Sequence, residues 1–183
     1  MTDSCAGAEK PLLLVDIDGV ISLFGAPSAG AGGRRAPDGS AVEGSLHSIE
    51  GIPHFLSSTA AAHLLALAPL FEVVWASGWE EKANEHLPRL LGLRGPLPFL
   101  RFSRGAGAGA GRTTRAHWKL ASIDAYAGVR PLAWIDDAFN PACHAWAGAR
   151  EAPTLLVSTA PEEGLTSQQA QLLLVWAAEL EGC

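Results

Sequence analysis

The sequence predicts an α/β domain: a parallel sheet with helices on both faces. Three observations carry that expectation. Short apolar runs alternate along the chain with longer stretches of helical periodicity, and the polar residues collect where the apolar runs end. The chain's 183 residues, 48% of them hydrophobic, suit one domain with a core of its own. Strand and helix in alternation place parallel strands side by side with helices packed above and below.

Residues 12–17, 71–76, 99–102, 132–135 and 154–157 are short and rich in Val, Ile, Leu, Trp and Phe, the composition of buried strands. Helices are expected between and after them. Residues 59–68 follow a Ser-Ser-Thr cap, and 80–91 begin with acidic side chains, as a helix N-terminus prefers. Residues 113–126 run up to Gly128, 140–147 are short, and 166–179 carry Leu at helical spacing. Half of the twenty glycines sit in two other segments, six in 25–44 and four in 105–111. Their glycine content makes both read as mobile surface loops, and neither is a phosphate cradle, since neither has the strand-Gly-x-Gly-x-x-Gly-helix order or the Gly-Lys-Ser/Thr ending.

Composition narrows the functional classes. Thirteen Lys plus Arg against nineteen Asp plus Glu give a net charge of −6, which argues against wholesale electrostatic binding to nucleic acid or an anionic membrane. Arg101, Arg104, Arg112 and Arg115 form the one local basic concentration, able to steer a polyanion or simply to rim a solvated loop. Three widely spaced cysteines, Cys5, Cys143 and Cys183, lack any Cys-x-x-Cys and suit a reducing compartment. The apolar stretches are too short to span a bilayer and no secretory leader is evident, so a cytoplasmic location is expected.

The chemistry belongs at the carboxyl ends of the strands. The first strand ends in Asp16-Ile17-Asp18-Gly19, the second in Ser77-Gly78 and the fourth in Asp136-Asp137. Extended backbone repeats every two residues, so Asp16 and Asp18 are expected on one side, with Gly19 allowing a sharp exit. Two carboxylates so placed repel each other unless a cation sits between them, and magnesium, which accepts carboxylate, water and phosphate oxygens, is a suitable one. Taken singly, Ser77, Lys119 and Asp136-Asp137 are better explained by loop, helix-surface and turn roles. Their order is more informative.

In sequence, Asp16-Ile17-Asp18-Gly19-Val20, then Ser77-Gly78, then Lys119, then Asp136-Asp137 resemble the four motifs of the haloacid dehalogenase superfamily, most of whose members are magnesium-dependent phosphatases. More narrowly, Trp75-Ala76-Ser77-Gly78-Trp79, Ala83-Asn84, Leu91-Gly92-Leu93, Trp118-Lys119, Trp134-Ile135-Asp136-Asp137 and Gly164-Leu165-Thr166 look like the small capless branch found in RNA repair proteins. The resemblance implies a Rossmann-like core with a parallel sheet of about five strands in the order 3-2-1-4-5 and no large cap. A single domain over residues 1–183 is expected, with a Gly-rich flap insert at 25–54 and a flexible Gly-Ala loop at 103–112.

The resemblance also assigns roles. Asp16 would be the nucleophile and Asp18 the general acid and base, while Ser77, Gly78 and Lys119 would hold the phosphoryl group. Mg²⁺ would bind Asp16, the Asp18 backbone carbonyl and Asp136, with Asp137 supporting from behind or through a water. Asp18 favours phosphoryl transfer over dehalogenation, which has no alkoxide to protonate. A response-regulator receiver has similar residue types, but here the second Asp pair follows Lys119, which disfavours it.

The expected function is hydrolysis of a phosphoric monoester at an open site, the substrate being a small molecule or a nucleic-acid end. The competing class is a non-catalytic binding protein on the same fold. No membrane and no obligate protein partner is expected. The six histidines form no close metal pair and read as packing or solvated groups. His47 and His54 are marked as possible substrate contacts from the flap, and Trp79 as a possible leaving-group contact.

Overall fold

The computed structural model describes residues 9–25, 34–35, 41–102 and 117–182. The 103–112 loop, Arg104, Arg112 and Arg115, the first residues of the expected 113–126 helix, Cys5, Cys183 and most of 26–40 lie outside them.

Four strands, β1 (Leu12–Val15), β7 (Glu72–Trp75), β8 (Leu132–Asp136) and β9 (Thr154–Ser158), form a parallel sheet in the order β7-β1-β8-β9. Period-two alternation divides their side chains between two cores. Leu13, Val15, Val73, Trp75, Ala133 and Ile135 face one, and Leu12, Leu14, Val74, Leu132 and Trp134 face the other. On the first face pack α1 (Ser58–Leu67), α2 (Lys82–Leu91) and α5 (Ser167–Glu181), through Leu64, Leu87 and Leu173 among others. On the second pack α3 (Leu120–Ala127) and α4 (Pro141–Ala149), through Ile123 and Cys143. The sheet is covered on both sides, which is why its strands read as continuous apolar runs.

The helix ends follow from local chemistry. Ser57 accepts the Ala60 amide at the start of α1, Asn140 accepts those of Ala142 and Cys143 before Pro141, and Thr166 and Gln169 form a reciprocal capping box on α5. Helix α2 starts at Lys82, later than its acidic residues suggest, because the chain after Ser77 first makes a tight turn in which Glu80 takes a φ of 49°.

The expected third strand is reduced to a single parallel bridge between Phe99 and Trp75, in the place the order 3-2-1-4-5 requires. Side chains consume the backbone groups that a longer ladder would use: the Phe102 amide donates to Glu80 Oε1 at 2.9 Å, and Ser122 Oγ donates to the Arg101 carbonyl at 3.1 Å.

The larger departure is in the insert after β1. Strands β5 (Gly44–Ile49) and β6 (Ile52–Ser57) form a hairpin around Glu50–Gly51, and β6 pairs with β2 (Ser22–Leu23) in a second, antiparallel sheet. Two-residue strands β3 (Arg34–Arg35) and β4 (Ala41–Val42) make a further pair. The Gly-rich insert is therefore strand-bearing and its last strand runs directly into α1. Among the described residues, no inserted cap domain covers the sheet ends, and no helix is long and apolar enough to cross a membrane.

Candidate active site

Strand β1 ends at Val15, one pair before the first aspartate. The ladder continues only far enough for the Asp16 amide to donate to the Ile135 carbonyl at 3.0 Å; then the Ile17 carbonyl accepts the amides of Val20, Ile21 and Ser22 in a tight turn. Gly19 takes a φ of 75° in that turn, and a Cβ on it would collide with the Asp137 carboxylate. Only glycine lets the chain leave the strand this close to the end of β8.

The parallel register sets Asp16 beside Asp136, since Val15 pairs with Ile135. Between them lies Lys119, at the N-terminal end of α3. Its ammonium stands 2.7 Å from Asp16 Oδ2 and 2.7 Å from Asp136 Oδ2, and all three residues are buried. Lys119 sits on the far-face helix layer and reaches the sheet end only because α3 packs there; nothing in its local sequence marks it as buried.

Asp136 is fully enclosed and its oxygens are well supplied. Oδ2 also accepts the Trp134 indole N–H at 3.1 Å, and Oδ1 accepts the Ala138 amide at 3.0 Å. His117 Nε2 stands 3.9 Å from Oδ1, with the imidazole edge-on to Trp134. Burial lowers the His117 proton affinity, partly offset by Asp136. Sequence reasoning reads His117 as a packing or solvated group and Trp134 as core or pocket wall. Trp134 was within reach of it, because two residues along a strand share a side; His117 left no comparable signal.

Asp16 carries the clearest electrostatic signature. Burial raises its carboxyl to about pH 6; Lys119 opposes that shift and Asp136 reinforces it. Its Oδ1 accepts the Ile17 amide at 2.8 Å. Asp137 is raised too, by burial and by the charges of Asp136 and Asp18.

Ligand oxygens of Asp16, Asp136 and Asp137 lie within 4.8 Å of one another. Asp137, expected behind the others, thus offers an oxygen to the same cluster, whereas the Asp18 side chain is not a member of it. Three carboxylates facing one ammonium leave an excess of negative charge in a largely buried space, and all the donors are hard oxygens. Those are the requirements of a magnesium site, so the residues present fit that ion.

Asp18 lies close enough for its charge to act on Asp137 but is anchored separately from the cluster. Its Oδ2 accepts the Trp79 indole N–H at 2.9 Å. Ser77 is buried at the end of β7, where the Ala76 amide donates to the Val15 carbonyl, so it stands next to the end of β1. Gly78 is exposed beside Trp118, and a Cβ on it would stand 3.6 Å from that ring. The two flap histidines stand directly opposite each other across the hairpin; His47 makes an exposed hydrogen bond with Ser45, while His54 packs edge-on against Trp79 at 4.9 Å.

No curated protein matches the chain. Residues 12–170 do match a described family, the HAD domain in Swiss Army Knife RNA repair proteins, and that span takes in every residue of the cluster. With the strand order, the two-faced helix packing and the acidic strand ends in agreement, the chain belongs to this family of the haloacid dehalogenase superfamily.

Proposed function

We propose that this protein is a magnesium-dependent phosphoric monoester hydrolase that works through an aspartyl-phosphate on Asp16. The observation that carries the reading is the buried Lys119 ammonium held between Asp16 and Asp136, with Asp137 completing an acidic cluster beside it. Family membership supports the same class of reaction.

In the first step an Asp16 oxygen attacks phosphorus as the ester P–O bond breaks, and the departing oxygen takes a proton from Asp18 and leaves as an alcohol. In the second, water attacks the aspartyl-phosphate and gives a proton to Asp18. The bond to Asp16 breaks, phosphate leaves, and both carboxyls are restored. Ser77 Oγ and the Gly78 amide bind nonbridging oxygens, and Lys119 exchanges part of its carboxylate pairing for the charge on the transferring group. Asp16, Asp136, Asp137 and the Asp18 carbonyl are the groups that would hold magnesium, which supplies further neutralisation of phosphoryl charge when bound. The nucleophile must be ionised, and the raised Asp16 carboxyl sets that requirement near pH 6 in metal-free protein. The hairpin, next to the site through Trp79, serves as the flap in a single-domain enzyme.

A nucleic-acid end is the second, narrower reading of the substrate. The family's description points to RNA repair, and the open rim of the site presents Trp118, 57% exposed, beside Gly78. An exposed ring next to a phosphate site can stack a base.

The test is phosphate release from a panel of phosphorylated metabolites and 3′- or 5′-phosphorylated oligonucleotides, with magnesium and with chelator. Turnover that requires magnesium and disappears in Asp16→Asn is the expected result. Magnesium binding without turnover of any ester would make the chain a non-catalytic binding protein instead.

A further inference from the structure

The indole of Trp79 has no part in the chemistry just described, yet it makes the one hydrogen bond the Asp18 side chain has among the described residues, Nε1 to Oδ2 at 2.9 Å. Trp79 is half-buried and braced from the insert: His54 of β6 packs edge-on against its ring at 4.9 Å, and His54 Nδ1 shares a 2.9 Å hydrogen bond with the buried Ser22 Oγ of β2. The partners come from three places in the chain, the turn after β7, the hairpin and the strand following the first motif. Asp18 itself stands on a glycine-bearing turn, where a carboxylate with no side-chain anchor has several rotamers open to it.

The geometry points to Trp79 as a positioning residue for proton transfer, with His54 and Ser22 holding it in place from the hairpin. An N–H that occupies Oδ2 leaves Oδ1 as the oxygen that exchanges the proton with leaving group and water. It also holds the carboxyl plane in one orientation through both steps. The hairpin then acts on chemistry as well as on access, because anything that lifts His54 loosens Trp79 and, through it, Asp18. This role rests on the phosphatase reading and deepens it.

The test uses two esters that differ in their need for a proton. An alkyl phosphate releases an alkoxide and requires the acid; 4-nitrophenyl phosphate releases a stable phenolate and does not. For a covalent mechanism, kcat/KM reports steps through phosphorylation of Asp16 only, so the ratio of the two kcat/KM values isolates the proton donor. In Trp79→Phe the ratio of alkyl to nitrophenyl kcat/KM should fall about ten-fold, the scale of one hydrogen bond to a charged group. The misfolded fraction cancels in the ratio.

Replacing Trp79 site-specifically with benzothienylalanine, which keeps the bicyclic ring and lacks the N–H, should give the same fall even if the phenylalanine variant does not fold. His54→Ala should shift the ratio in the same direction by less. An unchanged ratio in the benzothienylalanine protein overturns the proposal, since a merely structural Trp79 would affect both esters alike. A wild-type protein that cleaves neither of these esters nor any metabolite or oligonucleotide of the panel overturns the phosphatase reading itself, and a failure of the ratio alone leaves that reading standing.

Discussion

The ends of β1 and β8 and the β5–β6 hairpin are built from opposite materials and hold their shapes by different means. At the sheet ends, charged groups are enclosed: Asp16, Lys119 and Asp136 are each less than one-tenth exposed, and their pairing substitutes for solvent. On the hairpin most side chains face water, Leu46 and Ile52 are more than half exposed, and its tip is tied to α2 by an open ion pair between Glu50 and Lys82 at 2.8 Å. The contrast teaches where sequence changes should register. Charge changes matter at the sheet ends, where desolvation makes electrostatics strong, and backbone geometry matters more on the hairpin, of whose strands only Ile49 and Leu56 are buried in the main core.

The largest effect should come from Asp16→Asn, which removes turnover altogether while making the metal-free protein more stable. Between about pH 4 and 6 the folded protein keeps a proton on Asp16 that the unfolded chain has released, so stability falls as pH rises through that window. The amide carries no such penalty. Calorimetry in chelator at pH 7.5 should show a gain on the order of 2 kcal/mol, with a shallower decline from pH 4 to 6. A lower melting temperature in the variant would mean that the Lys119 pairing outweighs burial.

Gly19→Ala comes next. The positive φ and the collision with Asp137 should cost roughly 1–3 kcal/mol and weaken magnesium binding, because relief requires Asp137 to move. Unchanged magnesium affinity by titration calorimetry would separate Asp137 from the metal site. The hairpin offers a matched test in Gly44→Ala, whose Cβ would meet the Leu56 carbonyl and approach the Phe55 ring to 2.7 Å. A cost of about 1 kcal/mol is expected there, with a change in KM and no loss of magnesium affinity. If Gly44→Ala weakens magnesium binding as much as Gly19→Ala does, the two regions are not energetically separate. The smallest effect belongs to Lys82→Ala: breaking its exposed pair with Glu50 should move the melting temperature by no more than about 1 °C.

Legibility in the sequence follows the same division. The sheet ends were readable because a strand buried on both faces is a continuous apolar run, and a carboxylate directly after one stands out; residues 12–19 and 132–137 show this. The hairpin was not readable. Its two strands, Gly44–Ile49 and Ile52–Ser57, have one side open to water and carry Gly, Ser, Pro and His in place of a clean alternation. The strand at 99–102 was visible as an apolar run, but its length was cut by Glu80 and Ser122, whose competition for its backbone groups has no local mark.

By itself, the sequence determined the alternation of strands and helices, the division of each strand between two cores, and the order of acidic, hydroxyl and basic groups at the strand ends. These follow from local periodicity and from the desolvation cost that keeps polar residues to the places where buried strands stop. Tertiary structure alone decided that Lys119 is buried between Asp16 and Asp136, that Asp137 joins their cluster, and that Trp79 reaches Asp18 from 61 residues away. Each of those contacts joins elements brought together only by packing of the helix layers and the hairpin against the sheet. Their energies arise from desolvation, which belongs to the assembled core and not to any stretch of chain.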